Sequence, residues 1–252
     1  MIRLAVTGIN GRMGQALIQV LYEDLFHDLR LSAALDSSMA ENAENVLQAV
    51  DVILDFTNAE SAINYARLCE KLRKPIIIGS TGFDDKQFQE LAQIAQRNVV
   101  FVSANMSWGV AVLNYLVRLA AGKFDAGEFD CDILEVHHRH KQDAPSGTAL
   151  MLGRSVAQVH EAALNEVMKL DANGAKSLGQ IGFASLRGGG VFGDHTVSFS
   201  STDEVISIGH RALNRMVFAR GALKVVRWVM QANLQPGRIY SMDDVVGGGH
   251  QI

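Results

Sequence analysis

Short apolar runs recur through the first hundred residues, and each is followed by a small-residue turn and then by apolar positions at helical spacing. Ile2–Thr7 is the first, then a glycine turn, then Ala16, Leu17, Val20, Leu21 and Leu25. Leu29–Leu35, residues 50–55, Ile76–Ile78 and residues 99–102 repeat the motif of a β-prone run. Helical patterns at about 60–72, and from the turn after Gly82 to about Arg97, separate the later ones. Near-continuous apolar strands alternating with helices predict an α/β fold with a doubly wound parallel sheet. Ligands of such sheets sit beyond the carboxyl ends of the strands, where Phe56 and Thr57, Gly79, Ser80 and Thr81, and Ser103, Ala104, Asn105 and Met106 fall.

After a largely apolar helix at 110–121 the pattern changes. Residues 130–136 read as a strand, and a helix is expected from about Gly147 past Val159 toward Met168. The small, polar segment 170–180 is expected to be a mobile loop. Residues 181–187, 195–201 and 205–210 read as antiparallel strands, the last two joined around Thr202, Asp203 and Glu204, with Gly188, Gly189 and Gly190 breaking the first pair. This suggests an inserted α+β domain. A helix from Asn214 to Gln231, ended by Pro236 and Gly237, resumes the first pattern; 239–246 is an acidic and apolar tail, and 247–252 is expected to fray.

With 252 residues, of which 48% are hydrophobic, the chain has ample core for one large or two modest domains. A formal net charge of -4 argues against nucleic acid or an anionic membrane as a bulk partner. Cys69 and Cys131, the two cysteines, have neither a C-x-x-C partner nor metal-ligand spacing, so a reducing compartment is expected. No apolar stretch reaches bilayer length, and the first is too short for a signal peptide. A soluble, cytoplasmic protein is the expectation.

Two regions carry candidate chemistry. The glycines Gly8, Gly11 and Gly14 follow the first strand and open a helix, so Gly8, Ile9, Asn10, Gly11, Arg12 and Met13 suit a dinucleotide pyrophosphate. A plain tight turn is the competing reading. Asp36 ends the next strand about 20 residues on, where an acid accepts bonds from the ribose hydroxyls. Ser37 follows it rather than a cation, which makes NADH at least as good an expectation as NADPH, with Arg12 the remaining cation for a 2'-phosphate.

The second region, residues 135–149, holds His137, His138 and His140, three of the eight histidines, with Arg139 and Lys141. Histidine exchanges protons near neutral pH. The N–H groups of Gly147 and Thr148, at an expected helix start, suit a carboxylate, so a small dicarboxylate is the implied substrate class. Asp143 is placed to cap the turn or orient Lys141. Metal binding through His137 and His140, a basic patch for nucleic acid and a purely structural cluster are the competing readings, and His140 is the histidine expected to be structural. No third metal ligand is evident, and no metal is expected.

The run E-V-H-H-R-H-K-Q-D-A-P-S-G-T-A at 135–149 resembles the signature of the 4-hydroxy-tetrahydrodipicolinate reductases, or dihydrodipicolinate reductases. The resemblance extends through residues 8–14, D-F-T at 55–57, G-S-T-G-F at 79–83, A-N-M-S at 104–107, I-G-F-A-S-L-R at 181–187 and R-M-V-F-A-R-G-A at 215–222. It implies a Rossmann-type dinucleotide-binding domain of residues 1–107 and 214–252, with a substrate-binding and tetramerisation domain at 108–213. It also implies reduction of 4-hydroxy-tetrahydrodipicolinate to tetrahydrodipicolinate with loss of water, in lysine and diaminopimelate biosynthesis, by a homotetramer using NADH or NADPH. Carried over residue by residue, His137 is the proton donor or acceptor and Lys141 the proton donor, with His138, Gly147 and Thr148 on the substrate. Gly8 to Met13, Asp36, Gly79, Ser80, Thr81, Ser103, Ala104, Asn105 and Met106 contact the nicotinamide cofactor. The 170–180 loop lacks the basic, glycine-rich stretch of some members. An amino-acid dehydrogenase resembling aspartate dehydrogenase and a non-enzymatic dinucleotide sensor remain alternatives.

Overall fold

A computed structural model describes residues 1–36, 42–170 and 174–247. The chain divides into two compact units: Met1–Trp108 with Met216–Ile252, and Gly109–Arg215. The first runs through β1 (Ile2–Thr7), α1 (Arg12–Leu21), β2 (Leu29–Leu35), α2 (Ala43–Gln48), β3 (Val52–Asp55), α3 (Ala59–Leu72), β4 (Ile76–Ile78), α4 (Asp85–Ala95) and β5 (Val100–Val102). The second follows with α5 (Trp108–Ala121), β6 (Asp130–His137), α6 (Gly147–Val159), α7 (Leu164–Val167), β7 (Met168–Leu170), β8 (Ile181–Arg187), β9 (Asp194–Ser200) and β10 (Val205–Arg211). The chain then returns to the first unit through α8 (Met216–Gln231), β11 (Ile239–Tyr240) and α9 (Met242–Gly247).

The first unit is a parallel sheet in the order β11-β5-β4-β3-β1-β2. Its central strands β3 and β4 are buried at every position, as strands covered on both faces must be. From β1 the chain goes outward to β2 and then back across to β3, so the direction of winding reverses between β1 and β3. The crevice at that switch lies at the carboxyl ends of the strands. Asn58 caps α3 by accepting the Ser61 N–H at 3.0 Å, and Asp84 and Gln87 form a capping box on α4. The short α2 has only six residues and shows no helical period long enough to read, and it was not expected.

The returning helix α8 packs on α1 and is tied to the segment after it by two charge pairs, Arg220 with Glu23 at 2.6 Å and Arg227 with Asp28. Gly221 lets α8 approach the chain at Met106 so closely that a Cβ there would lie 1.7 Å from the Met106 carbonyl oxygen. The tail, expected only to be acidic and apolar, supplies a sixth strand: Ile239 and Tyr240 pair parallel with Val100 and Phe101. Residues 248–252, most of the segment expected to fray, lie outside the described residues.

In the second unit the sheet order is β10-β9-β6-β8-β7, with β6, β8 and β7 parallel and β9 antiparallel to both β6 and β10. The expected antiparallel pairing of 181–187 with 195–201 is therefore corrected, because β6 lies between them. The connection from β6 contains a helix, which is what a parallel crossover requires. The long helix toward Met168 is also corrected. It stops at Val159, where Glu161 adopts a left-handed φ of 54° and the Ala162 N–H returns to the Ala157 carbonyl at 2.9 Å. That is a Schellman stop made without its usual glycine, so the sequence carried no sign of it. Of the expected mobile loop, Leu170 ends β7, and Lys176 is tethered to Asp132 at 2.8 Å and Asp130 at 3.3 Å. Residues 171–173 are outside the described residues.

One face of this sheet packs Ile133, Phe183, Val197 and Phe199 against Leu113 and Val117 of α5 and Leu152 and Val156 of α6. Toward the carboxyl end of β6 that same face turns polar, through Glu135, His137, Arg187 and His195. On the opposite face Leu134, Leu186 and Val205 are exposed at 42%, 56% and 64%. Among the described residues, no helix is long and apolar enough to cross a membrane.

Because the Gly221 contact is backbone against backbone, Gly221→Ala should force α8 from the 103–107 turn. A loss of about 1–3 kcal/mol of stability is expected, the usual scale for overpacking. An unchanged thermal midpoint in calorimetry would contradict this.

Candidate active site

The carboxyl ends of β1, β3, β4 and β5 bring three of the expected cofactor segments to one edge of the first sheet. Gly8 turns at φ +76°, and a Cβ on it would lie 2.4 Å from the Phe56 carbonyl oxygen; one on Gly79 would lie 2.2 Å from the Phe56 ring. Phe56 thus fills the space that both glycines leave. Gly14, buried in the first turn, would put a Cβ 2.5 Å from the Gly8 and Ile9 carbonyl oxygens. The N-terminus of α1 has no side-chain cap, unlike α3, α4 and α6, and no acid in its first turn, unlike α3 and α4. Its N–H groups and dipole therefore suit the phosphates of a dinucleotide. Asn10 and Arg12 are exposed beside it.

Asp36, at the end of β2, accepts a hydrogen bond from Asn10 Nδ2 at 2.5 Å. Ser37 lies outside the described residues. Ser103 and Asn105 brace their own turn: Ser103 Oγ donates to the Asn105 carbonyl at 2.8 Å, and Asn105 Oδ1 accepts from the Ser107 N–H at 2.9 Å. Ala104 and Thr81 are exposed, whereas the Met106 side chain is in the core at 2% exposure.

Beneath this edge lies a carboxyl group not expected as a site residue. Asp55 is fully buried and receives hydroxyl hydrogen bonds from Thr7 at 2.5 Å, Thr57 at 2.7 Å and Ser80 at 2.6 Å. Burial raises its pKa against those three donors. It joins the ends of β1, β3 and β4, and it explains the burial of Ser80.

The second unit gathers the histidine motif. His137 is the last residue of β6 and points to the inner face at 7% exposure. Its Nδ1 is 2.5 Å from Glu135 Oε2. Glu135 is also held by Arg187, through Nη1 to Oε2 at 2.8 Å and Nη2 to Oε1 at 2.7 Å, and by the Ser146 N–H at 3.1 Å. Burial opposes its ionisation, but Arg187, Ser185 and His137 outweigh that and bring its pKa down to about 2. Burial lowers the His137 pKa, with Glu135 pulling it up and Lys141 and Arg187 pushing it down.

Glu135, Arg187 and His195 were not among the expected site residues. The signal for Glu135 was its place two residues before His137, on the same face of one strand. Arg187 and His195 come from other strands, and only the register brings them there. The His195 ring meets that of His137 edge-on, with centroids 5.0 Å apart, and its Nε2 is 3.0 Å from Ser146 Oγ. Burial, then the neighbouring His137, lowers its pKa to about 4.

His138 is half-buried in the turn closed by the Lys141 N–H to the His138 carbonyl at 3.1 Å. His140, expected to be structural, is exposed with its ring centroid 6.2 Å from that of His138, and the buried histidines of this site are His137 and His195. Lys141 pairs with Asp143 at 2.8 Å, and the Gly147 N–H also reaches Asp143, so both roles expected of it have a contact. A cis peptide bond joins Ala144 and Pro145, and Ser146 then caps α6 by accepting the Ala149 N–H at 3.2 Å. Gly147 and Thr148 form the first turn of α6, where the Gly147 N–H helps Lys141 hold Asp143 ionised. Among the described residues, no group of three or more His, Cys, Asp or Glu side chains is arranged to hold a metal. Both cysteines are buried free thiols, and burial pushes Cys131 up to about 12.

Holding His195 neutral has a pH cost. An unfolded histidine titrates near 6.5, so the stability is intact above that pH and is lost as the pH falls toward the folded value of about 4. The loss is on the order of 3 kcal/mol. His195→Gln should show a smaller fall in thermal midpoint between neutral pH and the acid end of that window than the unmodified protein. Equal acid sensitivity would contradict it.

Comparison with known proteins bears on the whole chain. The family described as dihydrodipicolinate reductase, N-terminus, matches residues 2–106, and its C-terminus counterpart matches residues 109–246. The 4-hydroxy-tetrahydrodipicolinate reductase of Zymomonas mobilis is 40% identical over 98% of this chain and 97% of its own length. That of Campylobacter jejuni is 37% identical over 98% of this chain and all of its own. The solved structure of a dipicolinate-bound dihydrodipicolinate reductase from Paenisporosarcina sp. TG-14 superposes with a TM-score of 0.78 at 25% identity, covering 97% of this chain and 99% of that one. A probable dehydrogenase from Thermotoga maritima, 12% identical with a TM-score of 0.61 over 96% of this chain and 92% of its own, shares the fold alone. With both halves of the family matched in order and relatives aligned end to end, this chain belongs to the dihydrodipicolinate reductase family.

Proposed function

We infer that the protein reduces 4-hydroxy-tetrahydrodipicolinate to tetrahydrodipicolinate, with loss of water, at the expense of NADH or NADPH. The observation that carries this reading is the polar end of the second sheet, where His137, Lys141 and the start of α6 combine proton carriers with an anion site. A dicarboxylate fits there because Lys141 offers one cation and the Gly147 and Thr148 end of α6 offers N–H groups. The relative solved with dipicolinate bound supports a dicarboxylate ligand. His138 lies in the same turn as Lys141 and is assigned to the substrate.

The nicotinamide cofactor supplies hydride when bound. The residues that hold it are Gly8, Ile9, Asn10, Gly11, Arg12 and Met13 at the uncapped end of α1, Asp36 at the ribose, and the 79–81 and 103–106 turns, with Met106 contributing backbone alone. Asp36 is an anion at the place where a 2'-phosphate would bind, which favours NADH. In this reading the enzyme serves lysine and diaminopimelate biosynthesis in the cytoplasm, in keeping with its two free buried thiols. It is a homotetramer assembled through the sheet face that exposes Leu134, Leu186 and Val205.

Supplied with the condensation product of pyruvate and aspartate semialdehyde, the protein should consume NADH, with kcat/KM at least equal to that with NADPH. No loss of absorbance with either cofactor would sink the reading. Lys141→Ala should lower turnover by about 10²–10⁴-fold, and His137→Ala by as much or less, the scale of a positioned acid or base. Near-normal rates in both would remove them from the reaction. Sedimentation should give a mass of four chains, and a monomer at assay concentration would contradict the assembly.

A further inference from the structure

We propose that Glu135 is a positioning residue that fixes His137 with its proton on Nδ1 and a bare Nε2, so that His137 is the base of the reaction and Lys141 the acid. The inference rests on the reductase reading above and goes beyond it by naming the residue that sets where the proton sits on His137. Its ground is a count of donors. Glu135 is completely buried, and Arg187 and the Ser146 N–H, which can only donate, already claim both of its oxygens, with the Ser185 hydroxyl a further partner. A carboxylate so held is an acceptor only. The 2.5 Å contact with His137 therefore requires His137 Nδ1 to be the donor.

The outer nitrogen lies against a glycine rather than a side chain. Gly193, at φ +153°, backs onto it, and a Cβ there would lie 3.2 Å from His137 Nε2. The charged and titratable groups around the ring are Glu135 on its own strand, Arg187 on β8, His195 on β9 and Lys141 in the turn that follows. His210 on β10 lies beyond His195. Burial and the two cations Lys141 and Arg187 oppose a second proton on His137, against the single carboxylate. Arg187 adds a mechanical link, because its Nη2 also donates to the Asp143 carbonyl at 2.6 Å. Through Glu135 and Arg187, the end of β6 is tied both to the turn that carries Lys141 and to the cap of α6.

This division suits the substrate. Loss of water from a 4-hydroxy ring imine needs a base at C5, beside the C=N carbon, and an acid at the C4 hydroxyl. His137 Nε2 takes the C5 proton, the C–H electron pair becomes the C4=C5 double bond, and the C4–O bond breaks as Lys141 protonates the departing oxygen to water. Once C4 has received hydride, the double-bond pair moves back to C5 and recovers the proton from His137. The sum is one hydride and one proton consumed and one water released, with Lys141 reprotonated from solvent.

The test is nitrogen-15 NMR of histidine-labelled protein at neutral pH, combined with kinetics of Glu135→Gln. In the unmodified protein His137 should show a protonated Nδ1 and an unprotonated Nε2. In the variant, Arg187 and Ser146 claim the amide oxygen, its NH2 turns to His137, and the proton should move to Nε2. Turnover should then fall by about 10²–10⁴-fold, as when a triad histidine is held in the wrong tautomer. The acid limb of the residual activity should move to lower pH, because the carboxylate that raises the His137 pKa is gone. Arg187→Lys, which keeps the charge but loses the paired geometry, should give a smaller loss with the Nδ1 proton retained. An Nε2-protonated or doubly protonated His137 in the active, unmodified protein overturns the proposal alone, and this measurement holds even if Glu135→Gln does not fold. A Glu135→Gln enzyme within about threefold of normal turnover, with an unmoved pH profile, overturns it too. An Nδ1-protonated His137 in a protein without turnover would instead overturn the reductase reading beneath it.

Discussion

The buried Glu135 carboxylate is the constraint on which the second unit's chemistry depends. A full negative charge with no exposure is tolerable only if it is paired and hydrogen-bonded at once. Arg187 supplies the charge in a two-pronged geometry, Ser146 supplies a backbone N–H, and Ser185 and His137 supply further side-chain donors. The partners come from three places: β8, the cap of α6, and the end of β6. The carboxylate therefore cannot be satisfied unless the sheet register, the helix start and the histidine are all in place. Removing one partner of such a buried pair typically costs about 3–5 kcal/mol, so the same contacts that orient His137 also hold the unit's polar end together.

The first unit solves a similar problem differently. Asp55 is as deeply buried, yet its three side-chain partners are the neutral hydroxyls of Thr7, Thr57 and Ser80. Without a cation, burial wins and its pKa rises, whereas Arg187 drives Glu135 the other way. An acid that shares protons with hydroxyls ties strand ends together. One locked as an anion can dictate the proton position on a neighbour. Each lies at a strand end of its own unit, and Glu135 differs from Asp55 in having a guanidinium, helped by Ser185 and His137, to hold its charge.

Much of the architecture was legible because it follows from local pattern. Buried parallel strands such as 76–78 announce themselves as apolar runs, and the glycines at 8, 11 and 14 mark a turn where side chains at 8 and 14 have no room. The histidine motif is contiguous, so His137, Lys141 and the start of α6 were visible together. What escaped depends on distant pairing. His195 and Arg187 join the site through the register of β9 and β8 against β6, and nothing in their own neighbourhoods signals it. The position of β6 between β8 and β9 is likewise a property of the whole sheet. The end of α6 escaped for the opposite reason, since a glutamate, Glu161, occupies the left-handed position that glycine usually takes.

The central claim is that the polar end of the second sheet is where a dicarboxylate meets its proton carriers. The most direct measurement is a crystal structure of the protein with pyridine-2,6-dicarboxylate. The account predicts one carboxylate at the Gly147 and Thr148 N–H groups, having displaced Asp143 from that helix start, the other end of the ligand within reach of Lys141, and the ring against His137 Nε2. A ligand bound elsewhere, with the Lys141 and Asp143 pair intact and α6 untouched, would contradict it.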